Sequence, residues 1–236
     1  IFDRKKVKYW MPIDLYIGGK EHATGHLLYF RFFTKVFKDL GLVNFDEPSI
    51  KLFNQGMLHK EGVVMSKSKG NIVTPEEISK KYGIDTARLY LMFVASPEKD
   101  MEWSDKGIQG VSKFINKIYN LFPKLTSRNE EREESKRNKI IKEVTEDIEN
   151  FRYNSAIIKL MDYVEHLDKG ASSRENLETL IKLIAPFTPH LAEELWHKFG
   201  RHHSFISVEK WPSFDAKKIK PEFEQEEKLI EQTLSD

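Results

Sequence analysis

The sequence predicts two structural classes in one chain: an α/β region forming part of an open sheet, followed by an all-α helical bundle. Two observations carry this. Within residues 1–100 a strand-like run, a glycine turn, a helical run, further extended segments and two more helices follow one another, as in a sheet with crossover helices. Beyond residue 104 the apolar residues recur only at spacings of three and four, so the second half reads as helices alone.

The elements follow in order. Residues 14–19, DLYIGG, make a short strand stopped by two glycines. Residues 21–41 predict a helix: Leu27, Leu28, Phe30, Phe33, Val36, Phe37 and Leu40 share helical spacing, and Gly41 closes it. Residues 49–66 predict extended segments around a turn at Lys60-Glu61-Gly62. TPEEISKKYG is a capped helix, with Thr74 as N-cap, Pro75 in the first position, Glu77 completing a capping box and Gly83 at the end. A further helix over 85–97 is predicted with Asp85 as its cap and Pro97 as its stop. Ser104 caps a helix reaching Leu121 or Phe122, and residues 128–139 are a charge-dense connector or helix start.

Ile140, Ile141, Val144, Ile148 and Phe151 form one apolar stripe. Ala156, Ile157, Leu160, Met161, Val164 and Leu167 form another, and Leu177, Leu180, Ile181 and Ile184 a third, ended by Pro186. Thr188-Pro189 starts a fourth helix, which stops at Gly200, and Pro212 ends the bundle. The predicted division is 1–100, 101–212 and a Lys/Glu-rich segment over 213–236.

Composition narrows the function classes. Of 236 residues, 39% are hydrophobic and 32% charged, but the net charge is only +1, so any surface for a polyanion has to be local. The absence of cysteine excludes disulfides and thiolate metal sites. No apolar run approaches the ~20 residues a membrane helix needs, and the opening IFDRKKVKYW has no signal-peptide core. The expectation is a soluble, cytoplasmic protein without a membrane partner. Ile1 is not an initiator methionine and YWMPIDLYIGG reads like the middle of a domain, so the expectation is also a fragment or a trimmed subunit.

The chemistry concentrates in VVMSKSKGN, residues 63–71, where a short apolar run opens into two lysines, two serines and a glycine. Such a loop suits phosphate, through backbone N–H groups, hydroxyls and ammonium charge. It is not a Walker A loop, because no glycine stands at the required position. His22 and His26 are four apart on the predicted helix, a spacing shared by metal ligands. The order Glu21-His22-x-x-x-His26 is not His-Glu-x-x-His and no third ligand is evident, so no structural zinc and no other resident metal is expected.

MSKSKGN resembles the K-M-S-K-S signature of class I aminoacyl-tRNA synthetases, with Val64 in place of the first lysine. The segments YWMPIDLYIGGKEHATGHLLYFRFF, NQGMLHKEGVVMSKSKGN, YGIDTARLYLMFVASPEKDMEW, LIAPFTPHLAEELW and VEKWP stand in the order found in the leucyl-tRNA synthetase family, over roughly residues 7–212. The resemblance implies the second half of a class I Rossmann-type catalytic domain over 1–100, a helical tRNA-binding domain over 101–212, and a linker towards a further domain over 213–236. It implies that Lys67 is the catalytic cation, that Ser66, Ser68 and Lys69 hold phosphates and that Met65 borders adenine. It assigns the ribose to Gly19 and Glu21 of G-G-x-E-H, and the leucine pocket to Tyr16, His22 and His26.

The implied substrates are leucine, ATP with Mg2+, and tRNA(Leu). ATGH at 23–26 is not the H-I-G-H signature, because it lacks the first histidine and follows the ribose motif. The resemblance therefore implies a complementary subunit or N-terminal half carrying H-I-G-H, in a heterodimer or a longer chain, without which this chain is inactive. Candidates for tRNA backbone contacts are Lys113, Lys117, Lys124, Arg128, Arg132, Lys136, Arg137 and Arg152. The alternatives are another class Ia synthetase, for valine, isoleucine or methionine, and a non-catalytic RNA-binding module.

Overall fold

The computed structural model describes residues 2–121, 130–200, 204–223 and 225–226. The chain divides into two compact units, one of Ile1–Ser66 with Pro97–Trp103, the other of Lys67–Ser96 with Ser104–Asp236. Residues 67–96, which the sequence division grouped with the sheet, thus belong to the helical unit.

In the first unit α1 (Arg4–Trp10) precedes β1 (Ile13–Gly19), a single 3-10 turn (Lys20–Ala23), α2 (His26–Asp39) and β2 (Ser49–Gln55). β1 and β2 are parallel, with Ile13 opposite Ser49 and Gly19 opposite Gln55, and α2 is the crossover that parallel pairing requires. A second small sheet has β3 (Leu58–Lys60) at its centre, antiparallel to β4 (Val63–Val64) and parallel to β5 (Met101–Glu102). Glu61 and Gly62 turn between β3 and β4 with φ of 56° and 73°, the left-handed pair of a tight hairpin.

One predicted helix differs. The run over 21–41 is not continuous: Gly25 takes φ −112° and ψ −120°, outside the helical region, and α2 begins only at His26. His22 and His26 therefore do not share one helix.

The second unit opens with the signature turn and α3 (Pro75–Tyr82). Thr74 Oγ1 accepts the Glu77 N–H at 3.3 Å and the Glu77 carboxylate accepts the Thr74 N–H at 3.2 Å, the reciprocal box that the sequence spells. Gly83, at φ 83°, ends α3 and serves as N-cap of α4 (Ile84–Phe93). Asp85 is consequently not the cap of α4 but lies within its first turn, and its carboxylate serves a different helix. α4 also stops short of Pro97, at Phe93, and residues 97–100 turn into the short strand Met101–Glu102 that pairs with β3.

The bundle comprises α5 (Asp105–Leu121), α6 (Glu130–Glu149), α7 (Tyr153–His166), α8 (Arg174–Ile184) and α9 (Pro189–Lys198), with a π-type turn over Leu167–Ala171. Ser104 caps α5 through the Gly107 N–H at 3.2 Å. Leu89, Ile108, Ile118, Val144, Ile157, Leu160, Leu177, Leu180 and Trp196 meet in a closed core, and α4 packs against α5, α7 and α9. No helix among the described residues is long and apolar enough to cross a membrane.

Candidate nucleotide and amino-acid site

β1 delivers its glycines to the carboxyl end of a parallel strand, the edge where open α/β sheets place ligands. A Cβ on Gly19 would lie 2.2 and 2.4 Å from the Glu21 carboxylate oxygens. Glycine at this position lets the exposed Glu21 carboxylate rest against the strand end without shifting. A Cβ on Gly18 would stand 3.3 Å from the Tyr16 ring and 3.5 Å from His22.

Tyr16 and His26 are joined by a 2.8 Å hydrogen bond between the phenol oxygen and Nδ1, with rings stacked at 5.7 Å and 9°. His22 meets His26 edge-on at 6.3 Å, although the chain breaks between them. The three predicted pocket residues thus form one cluster. Phe30, one turn beyond His26 and 5.4 Å from it, extends the cluster. Sequence reasoning placed Phe30 only in the apolar stripe of α2; its position four residues after His26 was the signal.

Beside this cluster Lys20 pairs with Asp100 at 3.3 Å, and Asp100 also accepts the Met57 N–H at 2.8 Å. The Met57 N–H, then Lys20, holds the Asp100 carboxyl below its ordinary value. Gly56 makes the approach possible, since a Cβ there would stand 2.0 Å from the Lys99 carbonyl oxygen.

The signature loop straddles the two units, Ser66 closing the first and Lys67 opening the second. Met65 is tied to β3 by its N–H to the Leu58 carbonyl at 2.9 Å, and Met65 and Ser66 are half-buried. Lys67, Ser68 and Lys69 are exposed on one 3-10 turn, closed by the Gly70 N–H to the Lys67 carbonyl at 3.2 Å with Gly70 at φ 66°. Neither lysine has an ion-pair partner among the described residues, so both ammonium groups are uncommitted.

The basic residues nominated for RNA are mostly engaged within the chain. Lys117 pairs with Glu165 at 2.5 Å and Asp168 at 3.3 Å. Arg132 donates to the Phe223 carbonyl at 3.1 Å and Arg137 to the Asn176 side chain at 2.9 Å. Arg152 and Lys159 both bind Asp147 at 2.7 Å. Burial pushes the Asp147 carboxyl up, but hydrogen bonds from Lys159, Ser155 and Arg152 together outweigh it and hold the group below its ordinary value. Lys113 is exposed on α5 and Lys136 is half-exposed on α6, whereas Lys124 and Arg128 lie outside the described residues. No group of three or more His, Asp or Glu among the described residues could hold a metal ion.

Comparisons with known proteins bear on the family and the fold. Residues 2–104 match the family described as tRNA synthetases class I (I, L, M and V), and residues 134–236 match the anticodon-binding domain of tRNA ligase. The chain belongs to the class I tRNA synthetases. Within them it is similar to leucine–tRNA ligases. It is 47% identical to those of Thermotoga petrophila and Thermotoga maritima, over 94% of this chain and 30% of each relative. It is 44% identical to that of a Geobacter species, over 91% of this chain and 29% of the relative.

Among solved structures, the LeuRS of Agrobacterium radiobacter, in a ternary complex with tRNA and LeuAMS, matches at TM-score 0.78 and 35% identity, over 89% of this chain and 29% of that one. The methionyl-tRNA synthetase of Mycobacterium tuberculosis matches at TM-score 0.61 and 18% identity, over 78% and 44%, which shows the shared fold alone. The α/β part is thus a class I synthetase catalytic-domain fragment, followed by a helical region. The chain spans about 30% of the length of the curated relatives it matches.

Proposed function

We propose that this chain supplies the C-terminal half of the catalytic domain and the helical tRNA-binding domain of a leucine–tRNA ligase, acting in the cytoplasm. The observation that carries the reading is the strand end: the Glu21 carboxylate lies against Gly19, next in the chain to a Tyr16–His22–His26 cluster. A carboxylate there accepts both hydroxyl protons of a ribose, and the aromatic cluster walls a branched aliphatic side chain.

In the first half-reaction a leucine carboxylate oxygen forms a bond to the α-phosphorus of ATP, the α–β phosphoanhydride bond breaks, and pyrophosphate leaves with Mg2+. Charge moves onto the departing group, so a cation placed there stabilises the transition state more than the ground state. Lys67 has that role; Ser66, Ser68 and Lys69 hold the phosphates, and the Met65 backbone borders adenine. A short turn suits the task because it closes over ATP and reopens for product. In the second half-reaction a terminal ribose hydroxyl of tRNA(Leu) attacks the leucyl carbonyl and AMP leaves.

The first unit supports a complementary half carrying H-I-G-H. α2 leaves Tyr29, Phe32 and Phe33 61%, 59% and 52% exposed, and β1 has β2 as its only partner among the described residues. Apolar area of that size on a parallel α/β unit normally lies beneath further strands and helices.

ATP–pyrophosphate exchange tests the reading. The chain mixed with a leucyl H-I-G-H half supports leucine-dependent exchange, and the chain alone does not. Exchange driven by valine, isoleucine or methionine in the mixture would move the assignment to another class Ia enzyme, and ATP binding without any exchange would favour a non-catalytic RNA-binding module.

A further inference from the structure

Asp85 is a buried carboxylate in the first turn of α4, with 11% of its side chain exposed, and neither half-reaction uses it. Both of its oxygens leave their own helix. Oδ2 accepts the Leu191 N–H at 2.7 Å, and Oδ1 lies 2.9 Å from His190 Nδ1. The reason lies at the start of α9. The Thr188 hydroxyl donates back to the Ile184 carbonyl instead of capping α9, and Pro189 has no N–H. Leu191 is the third residue of α9, the position whose N–H an N-cap side chain ordinarily accepts. Asp85 performs that capping from a different helix.

One turn further along α4, Arg88 Nη2 donates to the Pro186 carbonyl at 3.0 Å, just past the end of α8. A carboxylate therefore sits at the positive end of α9 and a guanidinium at the negative end of α8, each on the favourable side of a helix dipole. Asp85 and Arg88 grip the α8–α9 turn from both sides.

We infer that Asp85 and Arg88 are positioning residues: they fix α4 on the α8–α9 turn and so set where the Lys67–Lys69 turn stands. The path is short and lies within one compact unit. The signature turn runs into the Thr74 capping box, α3 packs on α4, and α4 is anchored by Asp85 and Arg88. Displacement of the α8–α9 turn by RNA bound on the bundle would move the cation-bearing turn with it. The catalytic consequence rests on the proposed aminoacylation; the mechanical one does not.

Amide hydrogen exchange on the chain tests the mechanical part with Asp85→Ala, Asp85→Asn and Arg88→Met. Asp85→Ala is expected to speed exchange about tenfold, the size of a lost helix cap, at the first turn of α9, in α3 and in residues 67–73, while α6 stays unchanged. Asp85→Asn keeps an acceptor for the Leu191 N–H and restores most of the protection. Acceleration confined to α9, or spread evenly over the whole unit, would overturn the inference.

Pyrophosphate exchange in the complemented enzyme tests the catalytic part. Asp85→Ala lowers kcat about tenfold with the leucine KM within about twofold, and Asp85→Asn recovers it. An unchanged kcat overturns the coupling. No exchange by the wild-type mixture refutes the aminoacylation reading instead and leaves the hydrogen-exchange result standing. If Asp85→Ala does not fold, Arg88→Met, at an exposed side chain holding a single carbonyl, decides: protection of residues 67–73 equal to wild type refutes the coupling, and faster exchange there supports it.

Discussion

The two units differ in where their apolar side chains go. Every buried hydrophobic side chain among the described residues, from Ile78 to Ile206, belongs to the helical unit. The sheet-bearing unit buries Pro48 but no aliphatic or aromatic side chain among the described residues, and leaves Tyr9, Trp10, Leu28, Tyr29, Phe32, Phe33, Ile50 and Leu52 half-exposed or more. The helical unit is thermodynamically closed, since its amphipathic faces find one another. The sheet unit is held by its backbone ladder, its glycine contacts and its surface ion pairs, and its apolar area stays exposed. The contrast places Tyr16, Gly19, Glu21, His22 and His26, the residues proposed to meet substrate, on the open unit, and the cations Lys67 and Lys69 on the closed one.

Matched truncations break this comparison if it is wrong. Leu180→Ala, fully buried in α8, should destabilise the helical unit by about 2–5 kcal/mol through lost burial and a cavity. Phe33→Ala, 52% exposed on α2, should change the stability of the chain by about 0.5 kcal/mol or less. It should nevertheless weaken association with a complementary H-I-G-H half by about tenfold or more, as loss of an interface anchor does. Unit-resolved hydrogen exchange reads the first pair of effects and a binding titration the third. Equal destabilisation by both truncations would mean that the sheet unit has a core of its own.

Next in size is the division of labour across the loop. In the complemented enzyme Lys67→Ala should lower kcat of pyrophosphate exchange by about 10²–10³-fold, the usual loss for one transition-state charge partner, with leucine binding unchanged. Glu21→Gln, on the other unit, should raise the KM for ATP more than it lowers kcat. Steady-state kinetics separate the two, and a Lys67→Ala enzyme with weakened leucine binding would assign the lysine to the fold.

A smaller effect belongs to the backbone contact that substitutes for a core in the sheet unit. Gly56→Ala places a Cβ against the Lys99 carbonyl and the Asp100 N–H, backbone that has little room to yield. About 1–3 kcal/mol of destabilisation is expected, confined to the sheet unit. A differential melt that lowers the helical transition equally would show that the units unfold together.

How much of this was legible in the sequence depends on the range of the signal. The capping box at Thr74 and Glu77, the Glu61-Gly62 hairpin, the Ser104 cap and the bundle stripes are local rules, and each stands where the sequence writes it except Phe151, which lies past the end of α6 at φ 58° instead of on its stripe. The resemblance named Tyr16, His22 and His26 together and they do stand together, but periodicity treated residues 21–41 as one helix and Gly25 breaks it. Asp85 was read as a cap, and it is one, but for α9, a hundred residues away. Local pattern identifies a capping side chain and not which helix it serves. The same limit hid the use of Lys117, Arg132 and Arg137, whose charge was visible but whose partners are distant in sequence.

Acid gives the finest test, because an ion cluster in each unit can be compared and the two differ in solvation. In the sheet unit Arg31 holds Glu47 with two 2.7 Å hydrogen bonds, Lys35 adds a third at 3.2 Å, and the Glu47 carboxyl is lowered to about 2. In the helical unit Asp147 is also lowered, against the opposing effect of burial, by Lys159, Ser155 and Arg152. Both carboxyls are depressed on folding, so both contribute stability that is complete above their unfolded values of 4.5 and 3.8 and is lost as pH falls through the folded values. The sign is therefore common to the two units, and the salt dependence is not. Glu47 is 42% exposed, so its pair is screened and contributes about 0.5 kcal/mol, shrinking further in high salt. Asp147, with 3% of its side chain exposed, is shielded from counterions. Glu47→Gln should thus flatten the acid dependence of the sheet unit between pH 4.5 and about 2 at low salt and change little at 1 M salt. Asp147→Asn should flatten that of the helical unit at both. A salt-insensitive Glu47 effect would mean that the loop before β2 is buried more deeply than its exposure indicates, and that the sheet unit is less open than the contrast with the bundle requires.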